Sequence, residues 1–225
     1  MDRLVRLTHI GGPTLLLEFG GLRLLTDPTF DAPGEYVSGA LTLTKLRGPA
    51  TDAGAIGTID AVLLSHDQHA DNLDQSGRHF IEAAPANVHD ARRRGTPPWP
   101  LARASPWETV RLNDAVQLTA TPARHGPAGI EPIAGDVVGF ALANGEQGDM
   151  IYLTGDTVFY DGVAEVARRF HPELVVIFAG AARTRGPFNL TMNTNDGARY
   201  RTGLCRCADS RDPHRGLGAL HRELR

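Results

Sequence analysis

Hydrophobic residues in the first third of the chain occur in short runs of the length expected for β-strands. The runs "RLVRLTHIG" and "TLLLEF" are followed by Gly20-Gly21 and then by "LRLLTD". Because glycine adopts positive φ without strain, this pair predicts a tight hairpin between the second and third strands. The run "DAVLLSH" predicts a buried strand, and we expect a helix from Asn72 to about Ala84. The N-terminal third is therefore predicted to be mainly β-sheet.

Strands and helices alternate in the second half of the chain. "TVRL" and "AVQLTATPA" predict strands, and "DVVGFALANGEQGDMIYLTGD" predicts a hairpin that turns around Asn144-Gly145. "ELVVIFAG" predicts another buried strand. Sheets covered by helices indicate the α/β class. The apolar residues of "YDGVAEVARRF" recur at the spacing of one helix face, at Val163, Val166, Ala167 and Phe170.

Composition limits the classes of protein that fit this pattern. The chain has 225 residues, of which 41% are hydrophobic and 22% charged, as in one globular domain with a real core. The net charge of −3 and the lack of a basic stripe argue against a nucleic-acid partner. The sequence shows neither an apolar run long enough to span a membrane nor a signal-peptide pattern, so we expect a cytoplasmic protein. Cys205 and Cys207 alone make no disulfide framework.

Polar residues that bind metals follow three of the predicted strands. His66, His69 and Asp71 follow "AVLLS" in the stretch "LLSHDQHADNLD", His125 follows "LTATPAR", and Asp156 follows "IYLTG". Strand ends that lead into loops are common positions for active groups. Imidazole and carboxylate are ligands that zinc-type ions accept. One such histidine is usually only a polar loop residue, but the three clusters together predict a metal site built from separate loops.

Four stretches resemble a known family in their order along the chain. "THIGGPTLLLEFGGLRLLTDPTF", "AVLLSHDQHADNLD", "TPARHGP" and "YLTGDTVFYDG" are similar to landmarks of the metallo-β-lactamase-like hydrolase superfamily, over most of residues 3–196. The resemblance is closest to a bacterial branch related to ascorbate-phosphate lactonases and N-acylphosphatidylethanolamine phospholipases D. It implies a four-layer αβ/βα sandwich, in which two facing sheets are flanked by helices and one or two metal ions lie at one edge.

The resemblance also implies a set of metal ligands. His66 and His69 look like the first two histidines of the family's H-x-H-x-D-H motif, and Asp71 looks like its aspartate. His125 looks like the third histidine of the family. Asp156 looks like the aspartate that bridges two metal ions. Zn²⁺ is the expected cofactor, as one or two ions, with Mn²⁺ and Fe²⁺ as alternatives.

The sequence departs from the family motif at two places. Two residues, Asp67 and Gln68, separate the histidines where the family has one, and Asn72 stands where the motif ends in histidine. An amide is a poorer zinc ligand than imidazole, so the second metal position is weakened and a mononuclear or altered site stays open. The insertion makes His66 the least secure ligand. Asp27, in "LLTDP", matches a family position near the site and is given a supporting role.

These residues predict a metal-dependent hydrolase that acts on a small molecule. Hydroxide formed on a zinc-type ion would attack an ester, lactone, amide or phosphodiester, and Asp71 would orient it or return a proton to the leaving group. One alternative is a catalytically impaired remnant of the same fold that still binds metal. Another is an iron-dependent oxidoreductase. A Ser-His-Asp hydrolase at Ser65-His66 is less consistent, because the chain lacks a G-x-S-x-G elbow. The oligomeric state is not predicted.

The last residues do not fit the family. "GARYRTGLCRCADSRDPHRGLGALHRELR" is arginine-rich and shows no helical or strand periodicity. The family would have here a helix, a strand and a final metal-binding histidine in a stretch like P-x-H-x-E-G-W. When each codon is read from its second base, the genetic code allows the sequence A-L-D-T-A from the codon of Gly197 onward. In the same shifted frame it allows E-G-W-A-H-F-T-E over the codons of Arg215 to Arg222. It also permits a histidine from the codon of Pro213.

A one-base frameshift after Asp196 explains this agreement. We therefore predict a metallo-β-lactamase-like domain at residues 1–196 and an aberrant, out-of-frame tail at 197–225, with the last helix and strand of the fold missing. Such a chain should be less stable and bind metal weakly. The same shift gives a family-like pattern at 87–104, and His89 would then have no selected role. Divergent surface loops remain the alternative for both segments.

Overall fold

The computed structural model describes six stretches of the chain, which form two compact units. The first unit contains the described residues up to Arg103, and the second contains those from Ala104 to His221. None of the helices in these stretches has the length and hydropathy needed to cross a lipid bilayer. The described residues are 5–38, 41–83, 105–145, 150–183, 186–205 and 216–220.

The first unit contains a four-stranded sheet, a separate hairpin and a helix. Its elements are β1 (Arg6–Gly11), β2 (Thr14–Phe19), β3 (Leu22–Thr26), β4 (Gly34–Ser38), β5 (Leu41–Lys45), a 3₁₀ turn (Ala53–Ala55), β6 (Ala61–Leu63) and α1 (Gln75–Ala83). The sheet order is β1-β2-β3-β6, with β6 parallel to β3 and the other neighbours antiparallel. The β2–β3 hairpin turns at Gly20 and Gly21, which have φ of 57° and 79°, as predicted.

The sequence did not reveal the hairpin formed by β4 and β5. These strands pair with each other only, and the described part of β4 presents no fully buried side chain. Val37, for example, is 79% exposed. Without a buried face, a hairpin has little hydrophobic alternation to mark it. The run "LTLTK" in β5, which alternates leucine and threonine, is the one signal that could have identified it.

The second unit is built on a six-stranded sheet. Its elements are β7 (Thr109–Arg111), β8 (Val116–Pro122), α2 (Glu131–Ala134), β9 (Val138–Asn144), β10 (Met150–Leu153), α3 (Asp161–Phe170), β11 (Leu174–Phe178), α4 (Thr194–Cys205) and β12 (Gly216–Leu220). The sheet order is β12-β11-β10-β9-β8-β7. Helix α3 connects the parallel strands β10 and β11 and buries Val163, Val166 and Ala167, the face predicted from the sequence.

The prediction that the last helix and strand are missing is wrong. Residues Thr194–Cys205 form α4, and Gly216–Leu220 pair in parallel with β11, from Leu174↔Gly216 to Phe178↔Leu220. Strand pairing uses backbone N–H and C=O groups, so the edge of β11 accepts an apolar segment such as "GLGAL" without family-specific side chains. The reading frame of this tail stays a prediction. The inner segment 87–104 lies outside the described residues.

Candidate metal centre

Asp27 anchors the loop that carries the first two histidines. It follows β3, is completely buried and has φ of +28°, an uncommon value for a residue other than glycine. Its Oδ1 accepts a hydrogen bond from the Ser65 backbone N–H at 2.6 Å. Its Oδ2 accepts from Ser65 Oγ at 2.8 Å and from Asn72 Nδ2 at 3.2 Å. One carboxylate therefore fixes both ends of the segment from Ser65 to Asn72.

His66 and His69 turn their rings toward each other. His66 Nε2 and His69 Nδ1 are 3.0 Å apart, and the two ring planes are close to perpendicular. The other ring nitrogen of His66, Nδ1, lies 2.9 Å from Ser65 Oγ. His66 is only 1% exposed. Two imidazole nitrogens that point at one place are an arrangement that suits a shared cation.

The residues after His69 begin a helical turn that sets the position of Asp71. The backbone N–H groups of Asn72 and Leu73 donate to the His69 carbonyl at 3.1 and 3.0 Å. Asp71 is half-buried, whereas Asn72 is completely buried. The inserted residue Asp67 is partly exposed, and its carbonyl accepts a hydrogen bond from an Arg78 guanidinium nitrogen at 2.8 Å. The insertion therefore leaves His66 buried within the loop.

Asp74 holds the loop and the start of α1 against neighbouring segments. Its Oδ1 accepts from the backbone N–H groups of Gly77 at 2.8 Å and Phe30 at 3.0 Å. Its Oδ2 accepts from the Asp31 N–H at 2.7 Å and forms an ion pair with Lys45 Nζ at 3.3 Å. Sequence reasoning missed this residue, although an aspartate three positions before the N–H it caps is a typical helix start.

In the second unit, hydrogen bonds connect the loop that carries His125 to the loop after β10. The Arg124 N–H donates to Thr157 Oγ1, and the Val158 N–H donates to the Arg124 carbonyl, both at 2.9 Å. His125 Nδ1 is 2.9 Å from the Leu190 carbonyl oxygen. A carbonyl can only accept, so Nδ1 carries the proton and the lone pair of the neutral ring is on Nε2.

Asp156 lies in the loop that follows β10 and is completely buried. Thr154, at the start of this loop, donates its N–H to the Val176 carbonyl at 3.0 Å, and its Oγ1 accepts from the Phe178 N–H at 3.1 Å. The Met192 N–H donates to the Thr157 carbonyl at 2.7 Å. The second unit thus fixes the backbone on both sides of this carboxylate.

The aromatic ring of Tyr160 lies beside the His125 loop. The Arg124 guanidinium lies 4.3 Å from its centroid, which is a cation–π distance. Burial raises the pKa of Tyr160 above its ordinary value, and the Arg124 charge opposes this. The phenol therefore stays neutral near neutral pH and can pack against the cation.

The structure places the predicted ligands in two groups. His66, His69 and Asp71 lie in one loop of the first unit, and His125 and Asp156 lie in two hydrogen-bonded loops of the second. Each group follows a strand, as the sequence predicted.

Comparison with known proteins identifies the family. Residues 22–204 match the model of the beta-lactamase superfamily domain. The UPF0173 protein YddR of Bacillus subtilis is 23% identical over 209 residues, covering 85% of this chain and 78% of that protein. An isothiocyanate hydrolase from Delia radicum gut bacteria aligns with a TM-score of 0.73 at 23% identity, covering 97% of this chain and 85% of that chain. A "possible metal-dependent hydrolase" from Veillonella parvula gives a TM-score of 0.73 at 20% identity, with the same coverage.

These comparisons confirm the predicted family and fold class. The family match includes residues of both units. The solved structures share the α/β fold predicted for the chain. The narrower branch near lactonases and phospholipases D stays a prediction. The chain therefore belongs to the beta-lactamase superfamily, with the metallo-β-lactamase fold of metal-dependent hydrolases.

Proposed function

We propose that this chain is a metal-dependent hydrolase whose metal ion is held by His66, His69 and His125. The family resemblance implies all three as ligands, and three imidazoles are a known ligand set for catalytic zinc. The observation that carries the proposal is the pair of nitrogens of His66 and His69, 3.0 Å apart in a buried loop. Zinc is the proposed ion, with manganese and iron as alternatives.

Hydrogen bonds prepare two of these histidines for a metal. His66 Nδ1 contacts Ser65 Oγ, and His125 Nδ1 contacts the Leu190 carbonyl, so we assign Nε2 of each as the atom that would bind the ion. Such contacts from the second ring nitrogen orient metal-binding histidines and fix their tautomer. A bound zinc-type ion supplies a Lewis acid and lowers the pKa of water.

The carboxylates complete the proposed site. Asp71 is half-buried, so it can reach a substrate, and we assign it the role of orienting the attacking water or returning a proton to the leaving group. Asp156 is buried and is proposed as the bridging or charge-balancing ligand. Both roles follow from the family motif and the chemistry of carboxylates.

The proposed substrates are small molecules with an electrophilic carbon or phosphorus. Esters, lactones, amides and phosphodiesters have this property. The fold shared with an isothiocyanate hydrolase adds isothiocyanates, whose central carbon is also open to attack by water. The cytoplasmic location expected from the sequence stays a prediction.

The test is elemental analysis of the purified chain, followed by hydrolysis assays on a panel of these substrates with and without chelator. We expect bound metal and chelator-sensitive turnover. His69→Gln should lose both, whereas His79→Gln, which changes an exposed histidine of α1, should keep both. Turnover that survives both chelator and His69→Gln would refute the metal mechanism.

A second candidate is a metal-binding remnant without turnover. The observation in its favour is the lack of the family's P-x-H-x-E-G-W stretch, which removes one metal ligand. Bound metal with no hydrolysis of any substrate in the panel would support this reading over the enzyme.

A further inference from the structure

We propose that Asn72 is a positioning residue, not a metal ligand, and that it acts through Ser65 to hold His66 in the tautomer that binds metal. The inference rests on the proposed function only in taking His66 as a ligand. Asn72 stands where the family motif has a histidine, but its amide nitrogen faces Asp27 and Ser65 at 3.2 and 3.4 Å. The contacts of this segment determine which atoms carry protons.

The carboxylate of Asp27 sets the direction of the first hydrogen bond. Its oxygens act as acceptors, so Ser65 Oγ, 2.8 Å from Oδ2, donates its single proton there. Ser65 Oγ can then only accept from its remaining neighbour, His66 Nδ1 at 2.9 Å. The proton of neutral His66 therefore lies on Nδ1, and Nε2 has the lone pair that a metal ion needs.

The amide of Asn72 completes this arrangement. One proton of Nδ2 is directed to Asp27 Oδ2, and the other is directed to the second lone pair of Ser65 Oγ. Ser65 Oγ then donates once and accepts twice, which is its full capacity. Its only proton is directed to Asp27, so none is left to donate to an unprotonated Nδ1, as the other tautomer of His66 would require.

The opposite orientation of the amide is unfavourable. It would turn Oδ1 toward a carboxylate oxygen and toward a hydroxyl whose proton is already donated. In the observed orientation, Asn72 Oδ1 is buried and has no hydrogen-bond partner among the described residues. A buried acceptor without a partner is costly, so the two donated bonds must outweigh it. Nδ2 of residue 72 is therefore used to donate, and Oδ1, the one atom that could bind an ion, is an amide oxygen and a poorer zinc ligand than imidazole.

The same logic assigns the contact between the two histidines. Because His66 Nε2 is an acceptor, the proton between it and His69 Nδ1, 3.0 Å away, belongs to His69 in the metal-free chain. The contacts thus specify the positions of three protons, on Ser65 Oγ, His66 Nδ1 and His69 Nδ1. All three positions can be measured without a metal ion.

The first experiment is nitrogen NMR of the histidine-labelled, metal-free, full-length chain at mildly alkaline pH. We expect His66 to show a protonated Nδ1 and an unprotonated Nε2, and Ser65→Ala to convert this signal into a mixture of tautomers. A wild-type His66 protonated on Nε2, or a signal unchanged by Ser65→Ala, would overturn the proposal.

The second experiment compares zinc affinities by competition with a chromophoric chelator. Asn72→Asp would bind zinc more tightly if residue 72 were a ligand, because a carboxylate is the better ligand. If residue 72 is a positioning residue, the Asn72→Asp chain should bind zinc about 10- to 100-fold more weakly than wild type. The new carboxylate faces Asp27 and has no proton to donate to it. Ser65→Ala should weaken binding similarly, and the double variant should be no weaker than the weaker single variant.

A matched control and a check of folding separate positioning from general damage. Ser76→Ala removes a hydroxyl that donates to Asp31 at 2.6 Å in the same unit, and it should leave zinc affinity and the His66 signal unchanged. Circular dichroism and the urea midpoint report whether each variant folds. If Asn72→Asp does not fold, the Ser65→Ala affinity and the His66 signal decide the matter.

Failure of the proposed function would look different from failure of this inference. If the wild-type chain binds no zinc, the metal-dependent function is wrong, but the His66 tautomer still tests the positioning role. If zinc binds and Asn72→Asp tightens it, the positioning role is wrong and the metal-dependent function stands.

Discussion

Replacing Asp74 with alanine should strongly destabilise the first unit. Its carboxylate accepts from the N–H groups of Gly77, Phe30 and Asp31 at 2.7–3.0 Å and pairs with Lys45. The side chain is only 4% exposed, so water reaches these groups poorly once the carboxylate is gone.

The size of the effect follows from these contacts. Loss of the helix cap at Gly77 costs about 1 kcal/mol. The Phe30 N–H and the Asp31 N–H lose their acceptor at a cost of about 1–3 kcal/mol each, with the lower value for the half-buried Asp31. The ion pair to Lys45 adds at most about 1 kcal/mol. The sum is about 3–6 kcal/mol, a large part of the roughly 5–15 kcal/mol that stabilises a typical domain.

Urea denaturation followed by circular dichroism measures this loss. The matched control is Asp52→Ala, because Asp52 precedes the 3₁₀ turn but its side chain makes no capping hydrogen bond. We expect the control to change the free energy of unfolding by less than about 0.5 kcal/mol. Equal effects of the two substitutions, or a loss below about 1 kcal/mol for Asp74→Ala, would refute the assignment of Asp74 as the anchor.

Three further predictions concern packing, ionisation and the gene. In Gly77→Ala the new methyl group would overlap the Pro28 carbonyl, so urea unfolding should show a loss of about 1–3 kcal/mol, whereas Gly54→Ala, with open space around it, should be nearly neutral. Burial raises the pKa of Tyr152 well above its ordinary value of 10.0, so only the unfolded chain ionises there, and stability should fall more steeply above about pH 10 in wild type than in Tyr152→Phe. Parallel stability curves for these two proteins from neutral to alkaline pH would contradict that. Sequencing the gene should find codons from 197 onward that encode the family ending in the next frame; codons that cannot do so would remove the frameshift hypothesis.

The sequence predicted those elements whose side chains divide clearly between core and solvent. Helix α3 was recognised because Val163, Val166 and Ala167 share one face, and that face is buried. The β2–β3 hairpin was recognised because Gly20 and Gly21 allow the required backbone angles. Strand β12 was not recognised, because its pairing with β11 depends on backbone hydrogen bonds that leave no periodic signal in the sequence.

The histidines of the candidate site were predictable, but the contacts that hold them were not. His66 and His125 follow buried strands, and this is visible in the sequence. The contact between Asp27 and Ser65 joins residues 38 positions apart, and it exists because β3 and β6 run parallel with Thr26 opposite Leu63. Parallel strands end at the same sheet edge, so the residues that follow them meet. The pairing of β3 with β6 cannot be read from either strand alone.

The two departures from the family motif are parts of one structural change. The extra residue between His66 and His69 places the second histidine at the start of a helical turn, where its ring meets His66 and its carbonyl accepts from the Asn72 N–H. That turn returns residue 72 to Asp27, where an amide can donate to two acceptors at once and a neutral imidazole offers only one N–H. A second metal ion could use only Oδ1 of residue 72, and an amide oxygen is a poorer zinc ligand than the histidine of the family motif. We therefore expect one ion rather than two at the proposed site, and we expect the longer spacing and the asparagine to be functional only together.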